Sequence, residues 1–270
     1  MSKNKILYVS SEIFPYLPES VIACRQRTLS QAMQEAGNEI RTFMPRYGLV
    51  NERRNQLHEV IRLSGMNLII DDNDHQLIIK VASIPAARVQ RYFIDNDDYF
   101  HRKALLADEG GELFPDNDER AIFFARGVLE TVKKLRWEPS IVHTHGWFSS
   151  VVPVYLKGTF ASDPIFKKNK IVVSLYNDPF PGTLDGGMKT KIENEGMTDK
   201  RLETIAVPSH ENLMRLVVDY ADGIVVEEPL ENATLRDYVA RSGKPVLDWD
   251  GDRQSPEYMD VYKDFYESLI

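Results

Sequence analysis

Short apolar runs alternate along the chain with stretches in which apolar residues recur every three or four positions. Residues 5–10 form such a run, which predicts a strand buried on both faces. From Ile22 to Ala36 the apolar spacing is helical, and Gly37 follows where a C-terminal cap belongs. Residues 41–44 predict the next strand. This strand–helix–strand order predicts a parallel sheet with a right-handed crossover.

The same alternation continues to the end of the chain. Further strands are predicted at 141–143, 171–175 and 223–226, and helices at 119–137, 148–157, 230–241 and 256–269, with one more helix capped by Ser209. The last helix is expected to bury one side, formed by Tyr258, Tyr262, Phe265 and Leu269. The predicted fold class is therefore α/β, with residues 1–270 forming a single Rossmann-like domain around a doubly wound parallel sheet.

Two segments depart from this alternation. Residues 66–70 and 76–81 flank a polar stretch at 71–75, which predicts a β-hairpin insertion with a solvated tip. The tip lacks the glycine and the later glutamate of an EF-hand loop, so calcium binding is not expected there. Residues 177–199 are polar and contain several glycines, which predicts a mobile loop.

Composition and charge limit the classes of protein to which this chain can belong. A chain of 270 residues with 43% hydrophobic residues can bury one large core without metals or disulfides. The 33 basic and 41 acidic residues give a net charge of −8, which opposes binding to nucleic acid. No apolar run approaches the roughly 18 residues of a membrane span, and the apolar start is too short for a secretory signal. With a single cysteine, Cys24, the sequence predicts a cytoplasmic protein with no membrane partner.

Candidate chemistry lies where the predicted strands end, because ligands of open α/β sheets bind beyond the carboxyl ends of the strands. Three turns should meet there, at 10–23, 143–147 and 176–178, with 98–102 beside them. His143 and His145 are expected to point to opposite sides of their strand, with one of them packed in the core. Neither has further metal ligands nearby in the sequence, so neither a metal nor a cofactor is expected.

Other polar and aromatic residues near these turns have ordinary structural interpretations as well. Glu12 is expected to form an ion pair with Arg46 or Arg102. The aromatic residues Trp147, Tyr99 and Phe100 serve equally well as core residues or as exposed surfaces that stack on sugars. The acidic group Asp95, Asp97 and Asp98 is expected to be solvated.

Five motifs in order resemble the N-terminal half of the glycogen and starch synthases, which are retaining glucosyltransferases that use ADP-glucose. They are KILYVSSEIFP at 5–15, MPRY at 44–47, NDDYFHR at 96–102 with a later Asp-Asn pair at 116–117, WEPSIVHTHGW at 137–147, and SLYN at 174–177. The resemblance implies one half of a GT-B fold and an α-glucan as the substrate class. It also implies candidate sugar-side residues, which are Glu12, Tyr99, Phe100, Arg102, His143, His145, Trp147 and Asn177.

The turn after the first strand departs from this family. A gapless count places Pro18, Glu19, Ser20 and Val21, followed by Ile22, where the family has Lys-Thr-Gly-Gly-Leu and approaches the nucleotide diphosphate. A lost charge-assisted hydrogen bond costs roughly 1.5–3 kcal/mol. A carboxylate about 5 Å from a phosphate adds ~3 kcal/mol of repulsion. Valine also resists the positive φ that glycine supplies, so donor binding should weaken by roughly three orders of magnitude.

Three further positions lack a residue that the family's motifs contain. Tyr176 stands at the family's sugar-contacting His, while Gly146 and Ser140 each stand where the family has Asp. The family's fold also needs a second Rossmann-like domain, and this chain is expected to lack it. No intact catalytic residue is therefore expected here.

These observations predict a degenerate synthase-like domain that acts in α-1,4-glucan metabolism by binding a glucan, such as a maltooligosaccharide, or a protein partner, including a second copy of itself. One alternative is an active ADP-glucose glucosyltransferase half that a partner chain completes, since His143, His145, Trp147 and Asn177 are retained. A second alternative is a structural subunit without affinity for carbohydrate.

Overall fold

The computed structural model of the protein describes residues 3–82, 89–249, 251–252 and 255–270. Ten strands lie within these ranges: β1 Lys5–Ser10, β2 Glu39–Pro45, β3 Leu57–Glu59, β4 Met66–Ile70, β5 Asn73–Ala82, β6 Gln90–Asp95, β7 Ile141–His145, β8 Lys170–Leu175, β9 Gly223–Val226 and β10 Val246–Asp248. Eight α-helices lie there too: α1 Val21–Glu35, α2 Asp97–Phe100, α3 Asn117–Lys134, α4 Val151–Lys157, α5 Met188–Glu193, α6 His210–Tyr220, α7 Ala233–Arg241 and α8 Pro256–Leu269.

The strands form one mostly parallel sheet, which confirms the predicted fold class. Their order is β10-β9-β8-β7-β1-β2-β6-β5-β3, with β4 paired to β5. The first seven strands of this order run parallel, whereas β5 is antiparallel to β6, β3 and β4. The chain therefore crosses over repeatedly and places helices on both faces of the sheet.

The predicted hairpin is present, but it continues the sheet and its turn is shorter than expected. Ile70 pairs with Asn73, so the turn consists of Asp71 and Asp72, with φ of 48° and 63°. Two consecutive positive φ angles are typical of a type I′ turn, whose twist matches the strands on either side. The second half of β5 then pairs with β6. The hairpin is thus the antiparallel edge of the main sheet.

Polar side chains set the helix boundaries, and the predicted cap Ser209 is confirmed. The Ser20 side chain caps α1, Ser209 caps α6 and Ser255 caps α8, each by accepting a hydrogen bond from a backbone N–H of the first turn. The predicted helix at 230–241 begins only at Ala233, because the Asn232 side chain accepts from the Leu235 N–H and sets the start.

The two faces of the sheet bury different sets of side chains. Alternate residues of β1 show the division: Leu7 and Val9 join the large core under α3, α4 and α6, whereas Ile6 and Tyr8 face α1 and α8. On α8 the buried residues are Tyr258, Tyr262 and Tyr266, with exposures of 0%, 0% and 2%. The expected burial of Phe265 and Leu269 is only partial, because the helix is rotated toward its tyrosine stripe.

The segment 177–199 is not the mobile loop that its composition predicts. It contains α5, and its apolar residues Leu184, Met188, Ile192 and Met197 are buried. Lys191 of α5 also forms ion pairs with the buried Asp118 at 2.8 Å and with Glu119 at 2.7 Å. Packed side chains and buried charge hold this segment against α3.

The strand β6 is not predicted from the sequence, because it contains charged residues that are buried in the folded protein. Asp95 is 1% exposed and forms ion pairs with Arg46 and Lys80, both at 2.9 Å, so the expectation of a solvated carboxylate is wrong. Asp97 and Asp98, by contrast, are exposed. None of the helices in the described ranges is long and apolar enough to cross a lipid bilayer.

Candidate functional site

The carboxyl ends of the central strands meet at one edge of the sheet, as the sequence predicts. Ser10 is paired with His145, and His145 is paired with Ser174. Beyond these residues the three predicted turns contact one another: the Ser11 N–H donates to the His145 carbonyl at 3.3 Å, and the Trp147 N–H donates to the Asp178 carboxylate at 3.0 Å.

Ser20 and Glu12 occupy the N-terminal end of α1. The Ser20 hydroxyl donates to Glu12 Oε2 at 2.8 Å and accepts from the Ala23 N–H at 3.0 Å. Burial raises the pKa of the Glu12 carboxyl, and the nearby charge of Asp178 raises this pKa as well, against the lowering effect of the Ser20 hydrogen bond. A carboxylate of the protein itself therefore lies at the positive end of the helix dipole.

The expected ion pair of Glu12 with Arg46 or Arg102 is not formed, because both arginines have other partners. Arg46 binds Asp95 at 2.9 Å and Glu52 at 3.3 Å. Arg102 makes a bidentate pair with Asp116, with both nitrogen–oxygen distances at 2.6 Å. Bidentate geometry fixes a guanidinium firmly, so Arg102 orders the segment before α3.

Gly146 is required by the crowding around it. Its φ is +77°, and a Cβ atom there would lie 2.7 Å from Ser11 Oγ and 3.4 Å from Asp178 Oδ2. Asp178 accepts the Trp147 N–H and lies 3.1 Å from His210 Nε2. A carboxylate thus reaches the 3-10 helix Trp147–Ser149 from the turn after β8, beside the position where the family carries its own aspartate.

His143 and His145 lie side by side, so the expectation that they point to opposite sides is wrong. Their ring centroids are 4.1 Å apart, and both side chains are fully buried. Residues i and i+2 of a strand share one face of the sheet, here the face under α1 and α8. Both rings also lie against Tyr8, at centroid distances of 5.7 and 5.8 Å.

The hydrogen bonds of His143, together with its burial, determine its tautomer and its protonation state. Ser174 donates its single hydroxyl proton to Glu227 at 2.8 Å, so at 2.8 Å it accepts from His143 Nε2. Burial, helped by His145, holds the pKa of His143 well below its ordinary value, so the ring is neutral. A neutral ring with its proton on Nε2 leaves Nδ1 as the acceptor for the Tyr266 hydroxyl at 2.6 Å.

His145 is also neutral and makes one hydrogen bond. Its Nδ1 lies 2.8 Å from the Tyr176 hydroxyl, while its Nε2 has no hydrogen-bond partner among the residues that the structure describes. Burial, with a smaller contribution from the positive charge of Arg25, lowers its pKa to about 3. The residue at the family's histidine position, Tyr176, thus serves to hold His145.

Glu227 lies at the centre of this polar cluster, and sequence analysis missed it. It is 1% exposed and forms an ion pair with Arg25 at 3.0 Å. It also accepts from the Tyr258 hydroxyl at 3.1 Å and from the Tyr262 hydroxyl. Its only sequence signal is a carboxylate directly after an apolar strand. The partners from α1 and α8 are too distant in sequence to be inferred.

The three candidate aromatic residues are buried, so they do not present the surfaces that sugar stacking needs. Their exposures are 3% for Tyr99, 0% for Phe100 and 4% for Trp147. The Tyr99 hydroxyl donates to Glu119 at 3.0 Å, and Trp147 packs on Phe180 at a centroid distance of 4.7 Å.

Asn177 is bonded to the loop that follows β9. Its Nδ2 donates to the Pro229 carbonyl at 3.0 Å, and its Oδ1 accepts from the Glu231 N–H at 3.0 Å. The carboxyl groups of Glu12, Glu19 and Asp178 lie in these turns, while Arg25, which lines the same groove as Glu19, is paired with Glu227. The edge therefore has an excess of acidic groups. Among the described residues, no three His, Cys, Asp or Glu side chains are grouped to hold a metal ion.

Comparisons with known proteins agree with this architecture. The family model for the starch synthase catalytic domain matches residues 5–230. The glycogen synthase of Chlorobium limicola is 40% identical over 175 residues, which are 64% of this chain and 36% of that protein. The glycogen synthase of Chlorobaculum parvum is 34% identical over 228 residues, which are 83% of this chain and 46% of that protein.

A solved structure shows the same fold. The catalytic domain of Starch Synthase IV from Arabidopsis thaliana, bound to ADP and acarbose, superposes with a TM-score of 0.72 at 15% identity, over 94% of this chain and 54% of that chain. This chain spans only about a third to a half of the length of the relatives it matches. From the family match over residues 5–230, the chain belongs to the starch synthase catalytic domain family and has its α/β fold.

Proposed function

We propose that this domain acts in α-1,4-glucan metabolism by binding a glucan and does not itself bind the sugar-nucleotide donor. The observation that carries the proposal is the Ser20 hydroxyl, which joins the Glu12 carboxylate at 2.8 Å to the Ala23 N–H at 3.0 Å. The first turn of α1 is the place where a helix favours an anionic ligand. In this chain a protein carboxylate already lies there.

A diphosphate at this position would be opposed by charge and by backbone shape. It would face Glu12 and the exposed Glu19, and each carboxylate about 5 Å away adds ~3 kcal/mol of repulsion at an effective dielectric constant near 20. Val21 begins α1 without the flexibility of glycine. Since every 1.4 kcal/mol is about tenfold in affinity, donor binding should fall below the useful range.

The chemistry at the end of β7 supports binding over catalysis. Both imidazoles are buried and neutral, and His143 uses both nitrogens in hydrogen bonds to the protein. Neither ring is placed to touch a sugar or take up a proton from one. Carboxylates such as Glu12 and Asp178 repel phosphates, whereas they do not repel a neutral sugar.

A protein partner is the second candidate function, and the burial of Tyr99, Phe100 and Trp147 favours it. Because these three aromatic residues are buried, a glucan at the edge could not stack on them. A partner chain that completes a transferase would be recognised by glucose transfer from ADP-glucose that appears only when the two chains are mixed.

Isothermal titration calorimetry with ADP-glucose and with maltoheptaose separates these functions. We expect saturable binding of maltoheptaose and no saturable binding of ADP-glucose at micromolar concentrations. The double variant Glu12→Gln with Glu19→Lys should bind ADP-glucose more tightly than the wild type. The control double variant Glu193→Gln with Glu203→Lys, which makes the same change of charge away from α1, should not. Micromolar binding of ADP-glucose by the wild type would refute the proposal, and absence of maltoheptaose binding would favour the protein partner.

A further inference from the structure

A second concave surface lies at the carboxyl ends of β9 and β10, at the opposite end of the sheet from the hairpin. It encloses about 500 Å³, within the range of 300–1,000 Å³ that is typical of small-molecule sites. Its floor is apolar and buried, with Leu230 and Val239. Its rim carries the exposed residues Arg236, Val246 and Asp248, and Trp249 forms a partly exposed wall.

This cavity has a partly exposed aromatic residue, Trp249, whereas Tyr99, Phe100 and Trp147 at the predicted sugar site are buried. The exposures of the other two tryptophans are both 4%, whereas Trp249 is only half-buried. Its indole packs on Tyr258 of α8 at a centroid distance of 6.1 Å, and this contact supports the wall. The indole is therefore held by the protein while it still lines the cavity.

The combination of an apolar floor, an indole wall and a charged rim favours one class of ligand. A purely apolar ligand would cover the exposed charges of Arg236 and Asp248 and remove them from water, which is unfavourable. A purely ionic ligand would gain nothing from the floor. A pyranose ring presents C–H groups on its faces and hydroxyls at its edge, so it can contact the floor and wall while it bonds to the rim.

The cavity is joined to the edge described above through Asn177. The side chain of Asn177 bonds to the Pro229 carbonyl and to the Glu231 N–H, both at 3.0 Å, on either side of Leu230. Arg236 also donates from Nη1 to the Leu230 carbonyl at 2.9 Å. Both contacts fix the loop that supplies the floor. Asn177 is thus a positioning residue for this cavity.

We propose that the cavity formed by Leu230, Arg236, Val239, Val246, Asp248 and Trp249 is the site at which this domain binds an α-1,4-linked glucan. The inference rests on the proposed glucan-binding function and adds its location. Most of the cavity is formed by residues after 230, where the family match ends, so the site belongs to this chain's own C-terminal segment.

Titration with maltoheptaose, followed by tryptophan fluorescence and by calorimetry, tests the location. We expect Trp249→Ala to raise the dissociation constant at least tenfold and Arg236→Gln to raise it severalfold, with Trp249→Phe close to the wild type. The matched controls are Ile61→Ala and Arg54→Gln, which alter exposed residues elsewhere and should bind normally. Thermal unfolding of each variant shows whether the fold is intact.

The outcomes separate the two proposals. If the wild type binds maltoheptaose and both Trp249→Ala and Arg236→Gln bind it equally well, the location is wrong while glucan binding stands. If the wild type does not bind, both proposals fail together. If Trp249→Ala does not fold, Arg236→Gln decides, together with whether maltoheptaose shifts the indole N–H resonance of Trp249 in the wild-type protein.

Discussion

Gly146 shows how a single residue adapts to a changed neighbourhood. Its φ of +77° disfavours any side chain, and a Cβ atom would lie 2.7 Å from Ser11 Oγ. Gly182 has a similar φ of +68°, but nothing lies within 4 Å of its Cβ position. A comparison of alanine substitutions at Gly146 and Gly182 therefore separates the cost of backbone strain from the cost of a steric clash.

We expect Gly146→Ala to lower the free energy of unfolding by about 2–5 kcal/mol, from backbone strain of about 1–2 kcal/mol and overpacking of about 1–3 kcal/mol. Gly182→Ala should show only the strain. Urea unfolding of the two variants beside the wild type gives both values. Equal losses would show that Ser11 and Asp178 do not crowd Gly146.

Because the charge of Glu227 is buried, we expect its substitution to lower the stability more than any other substitution in the polar cluster. Glu227→Gln would leave the cation of Arg25 without its carboxylate in a dry environment, and breaking a buried pair in this way costs about 3–5 kcal/mol. The control Glu203→Gln removes an exposed carboxylate that pairs with Lys189, and it should have no measurable effect. Urea unfolding measures both. A small loss in Glu227→Gln would mean that water reaches the cluster.

At the scale of elements, α8 is held to the sheet by tyrosine hydroxyls as well as by apolar contact. Tyr266→Phe removes the donor to His143 Nδ1 and leaves that buried nitrogen unpaired, so we expect a loss of about 1–3 kcal/mol in unfolding free energy. Tyr238→Phe removes a hydroxyl that donates to Asp219 on the partly exposed side of α6, and it should cost less. Nitrogen NMR should find the proton of wild-type His143 on Nε2. A proton on Nδ1 would contradict the assigned directions.

Elements with one regular signal could be predicted from the sequence. The strand β1 is a plain apolar run, and α1, α6 and α8 have a serine cap in front of a helical apolar stripe. The strand β6 is not predicted because Arg91 and Asp95 interrupt its pattern. Asp95 is buried through its ion pairs with Arg46 and Lys80, and the Arg91 guanidinium lies over the ring of Tyr16. The helix α5 was missed because glycines and charges surround its few apolar residues.

The candidate site could be located but not assembled from the sequence. The rule for carboxyl ends of strands placed Glu12, His143, His145 and Asn177 at one edge, and the registers confirm that edge. Burial and partners depend on residues far away in the sequence. Tyr266 satisfies His143 from 123 positions later, and Asp178 takes the space beside Gly146. No local pattern encodes such contacts.

For the whole molecule, buried neutral histidines set the response to acid. The pKa of His143 lies well below its ordinary value and that of His145 is about 3, whereas both approach 6.5 when the chain unfolds. Below pH 6.5 the unfolded chain therefore binds two protons that the folded chain does not. Stability must fall as the pH falls, by up to about 1.4 kcal/mol per pH unit for each histidine.

Urea unfolding at pH 7.5, 6.5 and 5.0 tests this dependence. Between pH 6.5 and 5.0 the two histidines together should lower the unfolding free energy by about 3 kcal/mol. Buried carboxyls with raised pKa values, such as Glu12 and Asp118, act in the opposite direction and offset part of the loss. The unfolding free energy of the variant His145→Gln should therefore depend less steeply on pH than that of the wild type. In this variant the unfolded chain binds one proton more than the folded protein, instead of two. His101→Gln, whose side chain is 79% exposed in the wild type, should keep the wild-type slope. A wild-type stability that stays constant from pH 7.5 to 5.0 would mean that these imidazoles take up protons in the folded protein. His143 Nδ1 would then donate to the Tyr266 hydroxyl instead of accepting from it.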